Sequence, residues 1–94
     1  MNIVESTQAA ADDYLDILAN LMETSPTAAA DLQENMVRLV GNLRQFKHLC
    51  PRIERFPKFR RCTVTRHISL VYEVGKNSIT IISIFNSRMD SPFR

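Results

Sequence analysis

The chain has 94 residues, of which 45% are hydrophobic and 23% are charged, and its formal net charge is +2. This length allows one domain (residues 1–94) with a modest core, and this composition excludes intrinsic disorder. No apolar run approaches the roughly 20 residues of a membrane span, and the N-terminus lacks the basic start and apolar core of a signal peptide. We therefore expect a cytoplasmic protein.

The charges are distributed unevenly along the chain. Residues 1–37 contain carboxylates but no lysine or arginine, whereas every basic residue lies between Arg38 and Arg94. The second half of the chain is therefore predicted to form a basic face. Such a face suits an anionic partner, either a nucleic acid or an acidic protein segment.

The acidic half of the chain begins with a candidate strand and a helix. Residues 2–5 are the candidate strand, and the spacing of apolar residues predicts a helix from Gln8 to about Glu23. The apolar stripe of this helix is Tyr14, Leu15, Leu18, Leu21 and Met22. Ser6 or Thr7 is expected to cap it, because a hydroxyl there accepts a hydrogen bond from an otherwise unpaired backbone N–H.

A second helix is expected from Pro26 to about Lys47. Ser25 can cap it, and proline suits the first helical position because its missing N–H would have no partner there. The apolar stripe is Ala29, Leu32, Met36, Leu39, Val40, Leu43 and Phe46. The short Thr24-Ser25 link predicts an antiparallel hairpin of two amphipathic helices, which need an apolar sheet to cover.

The last third of the chain is predicted to form that sheet. Apolar residues alternate from Cys62 to Val74, and only Arg66 interrupts the row, so the pattern indicates one strand that runs straight through this position. Residues 75–77 supply a turn. Ile79–Phe85 is apolar at almost every position, as expected of a strand covered on both faces. Tyr72 is expected in the core, with its hydroxyl at the edge.

The connection between the helices and the sheet contains two prolines and one of the two cysteines. Residues 48–58 are expected to be irregular, because Pro51 and Pro57 suit neither a helix interior nor a central strand. Two cysteines do not suggest a disulfide scaffold, so reduced thiols are expected. The four potential zinc ligands are His48, Cys50, Cys62 and His67. Their spacing matches no usual zinc signature, and the chain has no glycine-rich phosphate loop, so neither a metal nor a cofactor is expected.

Four segments carry a resemblance to a known family. They are Ser25-Pro26-x-Ala28-Ala29, Phe56-Pro57-x-x-Arg60-Arg61, Val64-Thr65-Arg66-His67-x-Ser69-Leu70-x-Tyr72, and the ending that contains Arg88-Met89-Asp90. Through them the chain resembles the RelE/ParE toxins of type II toxin–antitoxin systems over nearly its whole length. The resemblance implies an α+β fold of order β-α-α-β-β-β, with an N-terminal antiparallel helix hairpin packed on a three- to four-stranded, mainly antiparallel sheet. It also implies a hairpin bend near Arg66-His67, which the alternation does not predict.

The resemblance implies one of two activities. RelE-like toxins cut mRNA on the ribosome with several basic residues and often a C-terminal tyrosine, whereas ParE-like toxins are not nucleases and poison DNA gyrase. Both are neutralised by an antitoxin. Here Ser69 stands where RelE-like toxins have an arginine, and Phe93 stands at the C-terminal aromatic position without a hydroxyl for proton transfer. These departures and the Arg88-Met89-Asp90 ending favour a ParE-like gyrase poison. The alternatives are a RelE-like endoribonuclease and a non-toxic binding module.

Six residues are candidates for the surface that binds the target or the antitoxin: Arg60, Arg61, Arg66, His67, Arg88 and Asp90. In a ribonuclease, His67, Arg66 and Arg88 would be the catalytic candidates, because RNA cleavage needs a base, an acid and cations for the phosphate. Structural interpretations stand beside these roles. The arginines at 60 and 61 can solubilise a strand end, His67 can be a turn residue, and Arg88 can form a local ion pair with Asp90. A homodimer also stays open.

Overall fold

Two helices and five strands make up the fold, in a computed structural model that describes residues 1–88 and 93. The elements in chain order are β1 (Ile3–Ser6), α1 (Gln8–Thr24), α2 (Pro26–Gln45), β2 (Arg52–Ile53), β3 (Phe56–Thr63), β4 (Ile68–Val74) and β5 (Ser78–Asn86). The predicted leading strand and both predicted helices are confirmed. No helix in the described ranges combines the length and the apolar run that crossing a membrane requires.

Hydroxyl caps fix the helix boundaries. The Thr7 side chain accepts a hydrogen bond from the Ala10 N–H at 3.1 Å and begins α1. Ser25 ends α1 through its own N–H, which donates to the Leu21 carbonyl at 2.7 Å, and its hydroxyl then caps α2. Pro26 occupies the start of α2 as predicted. A single residue therefore joins the two helices into the expected hairpin.

The sheet has the strand order β1-β5-β4-β3-β2. β1 pairs with β5 in parallel, and the remaining neighbours are antiparallel. The α+β fold implied by the resemblance is confirmed, with one strand more than expected. The additional strand is β2, whose Ile53 pairs with Phe56 of β3.

The expectation of an irregular connection over residues 48–58 is wrong in its second half. β3 already begins at Phe56 and includes Pro57. Proline is accommodated because the pairing of β3 with β4 begins only at Phe59, so the missing N–H removes no hydrogen bond of that ladder.

The predicted continuous strand through Arg66 is also wrong. β3 ends at Thr63 and β4 begins at Ile68, and a tight turn lies between them. Across this turn the Val64 N–H donates to the Ile68 carbonyl at 2.8 Å. Val64 and Ile68 are both buried in the core on either side of the bend, which explains why the apolar alternation continues through it. The bend implied by the resemblance is the one observed.

One face of the sheet packs against the helices and forms the core. Its buried residues are Cys62, Leu70, Tyr72, Ile79, Ile81 and Ile84 from the sheet, with Ala10, Leu18, Ala29, Leu32 and Leu43 from the helices. The predicted stripes are wider than the actual contact, since Leu15, Met22 and Phe46 remain 60%, 53% and 60% exposed.

The opposite face of the sheet, hereafter the open face, carries the residues that alternate with the core. Across β3 and β4 its directly opposed pairs are Phe59 with Glu73, Arg61 with Val71, and Thr63 with Ser69. β5 is buried toward the helices but is only partly buried at Thr80, Ile82 and Phe85. The prediction that β5 is covered on both faces thus holds toward the helices, whereas on the open face β5 is only partly covered and side chains there can carry a site.

Cys50 and Cys62 form a disulfide, so the expectation of reduced thiols is wrong for this structure. The bond joins the segment after α2 to Cys62, next to the last residue of β3. Bonded sulfurs are not thiolate ligands, so these two cysteines do not supply the zinc donors considered from the sequence.

Candidate functional site

Arg60 lies apart from the other candidate residues. It is opposite Tyr72 in the β3–β4 pairing, at the edge of the core-facing side. Its guanidinium donates to the carbonyls of His48 and Cys50 at 3.3 and 2.6 Å. Arg60 therefore holds the segment that follows α2 against β3 through these two hydrogen bonds.

Tyr72 fastens the same segment from the core. Its hydroxyl donates to the Lys47 carbonyl at 2.9 Å and accepts from the Cys50 N–H at 3.2 Å. The prediction that Tyr72 is a core residue with its hydroxyl at the edge is confirmed. Burial raises the pKa of Tyr72, against smaller opposing effects of the Cys50 N–H and the Arg60 charge. The hydroxyl is thus a neutral structural group rather than an acid or a base.

Arg61 points the other way, onto the open face. Its Nε donates to the Ser69 hydroxyl at 3.2 Å, and its guanidinium carbon lies 5.4 Å from the centre of the Phe85 ring. Ser69 is only 2% exposed, so the serine at this RelE-like arginine position is a buried acceptor. Arg60 and Arg61 are adjacent in β3, yet their side chains lie on opposite faces of the sheet and contact different groups.

Arg66, His67 and Arg88 come together at one end of the sheet and are called the arginine rim below. The N–H and hydroxyl of Ser87 donate to the His67 carbonyl at 2.6 and 3.2 Å, which ties the β3–β4 turn to the end of β5. The Arg88 N–H donates to Asn86 Oδ1 at 2.9 Å, which begins the turn after β5. The last candidate, Asp90, lies outside the described residues, as does its suggested ion pair with Arg88.

The arginine rim changes the proton affinity of its histidine. The pKa of His67 is lowered first by partial desolvation and then by the positive charges of Arg88 and Arg66. The imidazole is therefore neutral at physiological pH. A neutral imidazole near two guanidinium groups can accept a proton beside a bound anion.

A groove lined by residues of β2, β3 and the turn between them was not foreseen from the sequence. This basic groove has a volume of about 480 Å³, and Arg52, Arg55, Phe56, Arg61, Thr63 and Phe93 line it. The signal that could have found it is the pair Arg52 and Arg55: Arg52 lies in β2, and Arg55 is one of the two residues, Glu54 and Arg55, of the turn between β2 and β3. That signal was lost because the segment was expected to be irregular.

Phe93 belongs to an aromatic cluster at this groove. Its ring centre lies 5.9 Å from that of Phe56 and 5.5 Å from that of Phe59, and both contacts are edge-to-face. Edge-to-face contacts between aromatic rings are favourable. The C-terminal aromatic position is therefore engaged in packing.

Comparison with known proteins decides the family. The family described as ParE toxin of type II toxin–antitoxin system, parDE, matches residues 4–91. This chain belongs to the ParE toxin family. A ParE-family toxin is the toxin component of a type II toxin–antitoxin system, and its protein partner is an antitoxin. No curated protein sequence matches the chain.

Solved structures extend the comparison of this ParE-family toxin. A chromosomal ParDE toxin–antitoxin system from P. aeruginosa matches with 25% identity and a TM-score of 0.73, over 92% of this chain and 96% of that one. A copper-bound mutant toxin from Helicobacter pylori matches with 18% identity and a TM-score of 0.68, over 94% and 97% of the two chains. A YoeB dimer from Staphylococcus aureus matches with 15% identity and a TM-score of 0.61, over 87% and 92%. The last two share the fold.

Proposed function

We propose that this ParE-family toxin poisons DNA gyrase and that a cognate antitoxin neutralises it by covering the arginine rim. One observation carries the choice of target. The two positions at which RelE-like toxins place functional side chains hold Ser69 and Phe93 here, a buried acceptor for Arg61 and a ring packed into the aromatic cluster. These residues build the open face, which leaves the arginine rim as a binding surface.

A RelE-like endoribonuclease is the second candidate, favoured by the neutral His67 in the arginine rim. The imidazole could take the proton of a ribose 2′-hydroxyl while the two guanidinium groups hold the phosphate. Cleavage also needs an acid for the leaving oxygen. Tyr72 does not serve, because its hydroxyl is buried between the Lys47 carbonyl and the Cys50 N–H. The gyrase target therefore ranks first.

Two assays in parallel test the choice. Purified toxin is added to gyrase with relaxed plasmid, where supercoiling and cleaved DNA are measured, and to translating ribosomes, where mRNA cleavage is mapped by primer extension. We expect supercoiling to fall and the mRNA to stay intact. Cleaved mRNA with unaffected supercoiling would overturn the proposal in favour of the nuclease, and neither effect would leave a non-toxic binding module.

Variants of the arginine rim sharpen the test. His67→Ala should spare gyrase inhibition and abolish any mRNA cleavage. Arg66→Gln combined with Arg88→Gln should weaken gyrase inhibition by about tenfold or more, because charge-assisted contacts contribute about 1.5–3 kcal/mol each. The matched control is Arg38→Gln with Arg44→Gln, which removes the same charge from α2. Equal losses in the two double variants would rule out a role specific to the rim.

The oligomeric state stays a prediction. One structural relative is described as a dimer, so a homodimer of this chain is proposed alongside the antitoxin complex. Sedimentation of the free toxin and of the toxin–antitoxin complex distinguishes the two. A free toxin that sediments as a monomer at every concentration would contradict the homodimer.

A further inference from the structure

The basic groove combines three guanidinium groups with aromatic rings. The β2–β3 hairpin supplies Arg52, Arg55 and Phe56, while β3 contributes Arg61 from the open face. Arg55 lies over Phe56, with 5.7 Å between the guanidinium carbon and the ring centre. Phe93 completes the lining. Three cations and two flat apolar rings therefore line one depression.

The charges of the groove are not neutralised within the described part of the chain. The one ion pair among those residues joins Lys58 to Glu73, outside the lining of this groove. Arg61 donates to the neutral hydroxyl of Ser69. A single carboxylate, Glu54, faces three arginines around the lining. The groove thus holds excess positive charge that a bound anion would balance.

From this arrangement we infer that the basic groove binds a single strand of DNA. Guanidinium groups match phosphate oxygens with two parallel hydrogen bonds, and aromatic rings accept unpaired bases by stacking. A volume of about 480 Å³ is that of a small-ligand pocket and fits about one or two nucleotides, not a duplex. The phosphates and bases of a strand thus match the cations and rings that line the groove.

An acidic peptide is the competing occupant, and the lining favours it less. Carboxylates would satisfy the arginines, but the rings of Phe56 and Phe93 would then need apolar side chains placed between the acids. A nucleotide strand brings a charged group and a flat ring in every unit. The choice of DNA over RNA rests on the proposed function. Gyrase cuts and reseals DNA, so a toxin bound to gyrase lies close to DNA.

Fluorescence anisotropy of a short labelled oligothymidine tests the inference with the purified toxin. We expect saturable binding at low salt that weakens by about tenfold or more in Arg52→Gln with Arg55→Gln, since two phosphate contacts are lost. Arg38→Gln with Arg44→Gln makes the same charge change on α2 and should alter affinity by about twofold at most. Circular dichroism and thermal unfolding of both double variants check that the fold is kept.

Three results would overturn the groove assignment: no binding of any oligonucleotide, equal losses in the two double variants, or equally tight binding of polyglutamate. Tighter binding of the matching oligouridine RNA would overturn the choice of DNA. Gyrase inhibition is measured separately on the same preparations. Oligothymidine binding without gyrase inhibition would contradict gyrase as the target and support the groove as a DNA-binding site. Gyrase inhibition without oligothymidine binding would support the target and contradict the DNA-binding site.

Discussion

Tyr72 joins the core of the sheet to the segment after α2, and its hydroxyl serves two backbone groups at once. Tyr72→Phe leaves the Lys47 carbonyl and the Cys50 N–H without that partner. We expect the free energy of unfolding to fall by about 1–3 kcal/mol, measured by urea titration. Tyr14→Phe, at a partly buried tyrosine of α1, is the matched control and should change stability by about 0.5 kcal/mol or less. Equal effects in the two variants would contradict the structural role.

The same hydroxyl also sets a pH dependence. Because the folded pKa of Tyr72 is raised above the unfolded value of 10.0, its contribution is fully present below pH 10 and is lost as the pH rises through the folded pKa. Wild type should therefore lose stability more steeply in alkali than Tyr72→Phe does.

His67 gives a second prediction at the scale of one residue. Its lowered pKa predicts an NMR titration midpoint below 6.5, the ordinary value. Arg88→Gln and Arg66→Gln should each raise the midpoint by removing a positive neighbour, whereas Arg38→Gln should not. Stability contributed by the neutral imidazole is present above pH 6.5 and is lost as the pH falls toward the folded pKa. A midpoint unmoved by both rim substitutions would contradict this electrostatic coupling.

Single residues were predictable only where their local pattern was decisive. The period of two placed Tyr72 in the core and could equally have separated Arg60 from Arg61, since neighbours on a strand face opposite sides. The carbonyl partners of Arg60 could not be foreseen, because they belong to an irregular segment whose path depends on tertiary contacts. The surroundings of His67 likewise depend on the end of β5 reaching the β3–β4 turn.

At the scale of elements, the disulfide fastens the segment after α2 to β3. Its two cysteines are 12 residues apart. Cross-linking a loop of this size stabilises a fold by about 3 kcal/mol, chiefly through the unfolded chain. Unfolding in the presence of a phosphine reductant should show this loss for wild type and no reductant effect for Cys50→Ala with Cys62→Ala. A wild type indifferent to the reductant would contradict the bond, as would free-thiol labelling of the unreduced protein.

The two glycines test helix and turn separately. A Cβ at Gly41 in α2 would meet no atom within 4 Å, so Gly41→Ala should raise the free energy of unfolding by about 1 kcal/mol through helix propensity. A Cβ at Gly75 would lie 2.7 Å from the Ser78 hydroxyl, which must rotate away. Gly75→Ala should therefore bring no gain. Thermal unfolding of the two variants measures the contrast, and equal gains would contradict it.

Elements were predictable where one residue type determines a boundary. Hydroxyl caps and Pro26 placed both helix starts within a residue. The β3–β4 bend was hidden because Val64 and Ile68 are apolar on both sides of it, so the alternation carries no mark of the turn. β2 has only two residues, which is too short to show a period. Because β2 was not predicted, the basic groove that it helps to line was not predicted either.

At the scale of the whole molecule, the uneven charge of the sequence becomes a division between the N-terminal elements and the later strands. The acidic residues 1–37 fold into β1, α1 and the first part of α2, while the arginines of the rim and the groove belong to the sheet and its turns. This much the sequence predicted. Which arginines share a surface could not be predicted, because that depends on register and on the bend. The arginines proposed to face a partner thus belong to the later strands and their turns.

Stability and binding are expected to respond differently to salt. The one ion pair between described residues, Lys58 with Glu73, is exposed and spans 4.0 Å, so salt should change the free energy of unfolding by about 1 kcal/mol or less.

Three phosphate contacts in the basic groove give a slope of about −2 in log affinity against log salt. Raising salt from about 50 to about 200 mM should therefore weaken oligothymidine binding by about 20-fold. With Arg52→Gln and Arg55→Gln the slope should fall to about −0.7, one contact. Anisotropy and urea titrations at matched salt measure both responses. A slope unchanged by the double substitution would place the phosphates elsewhere on the basic face.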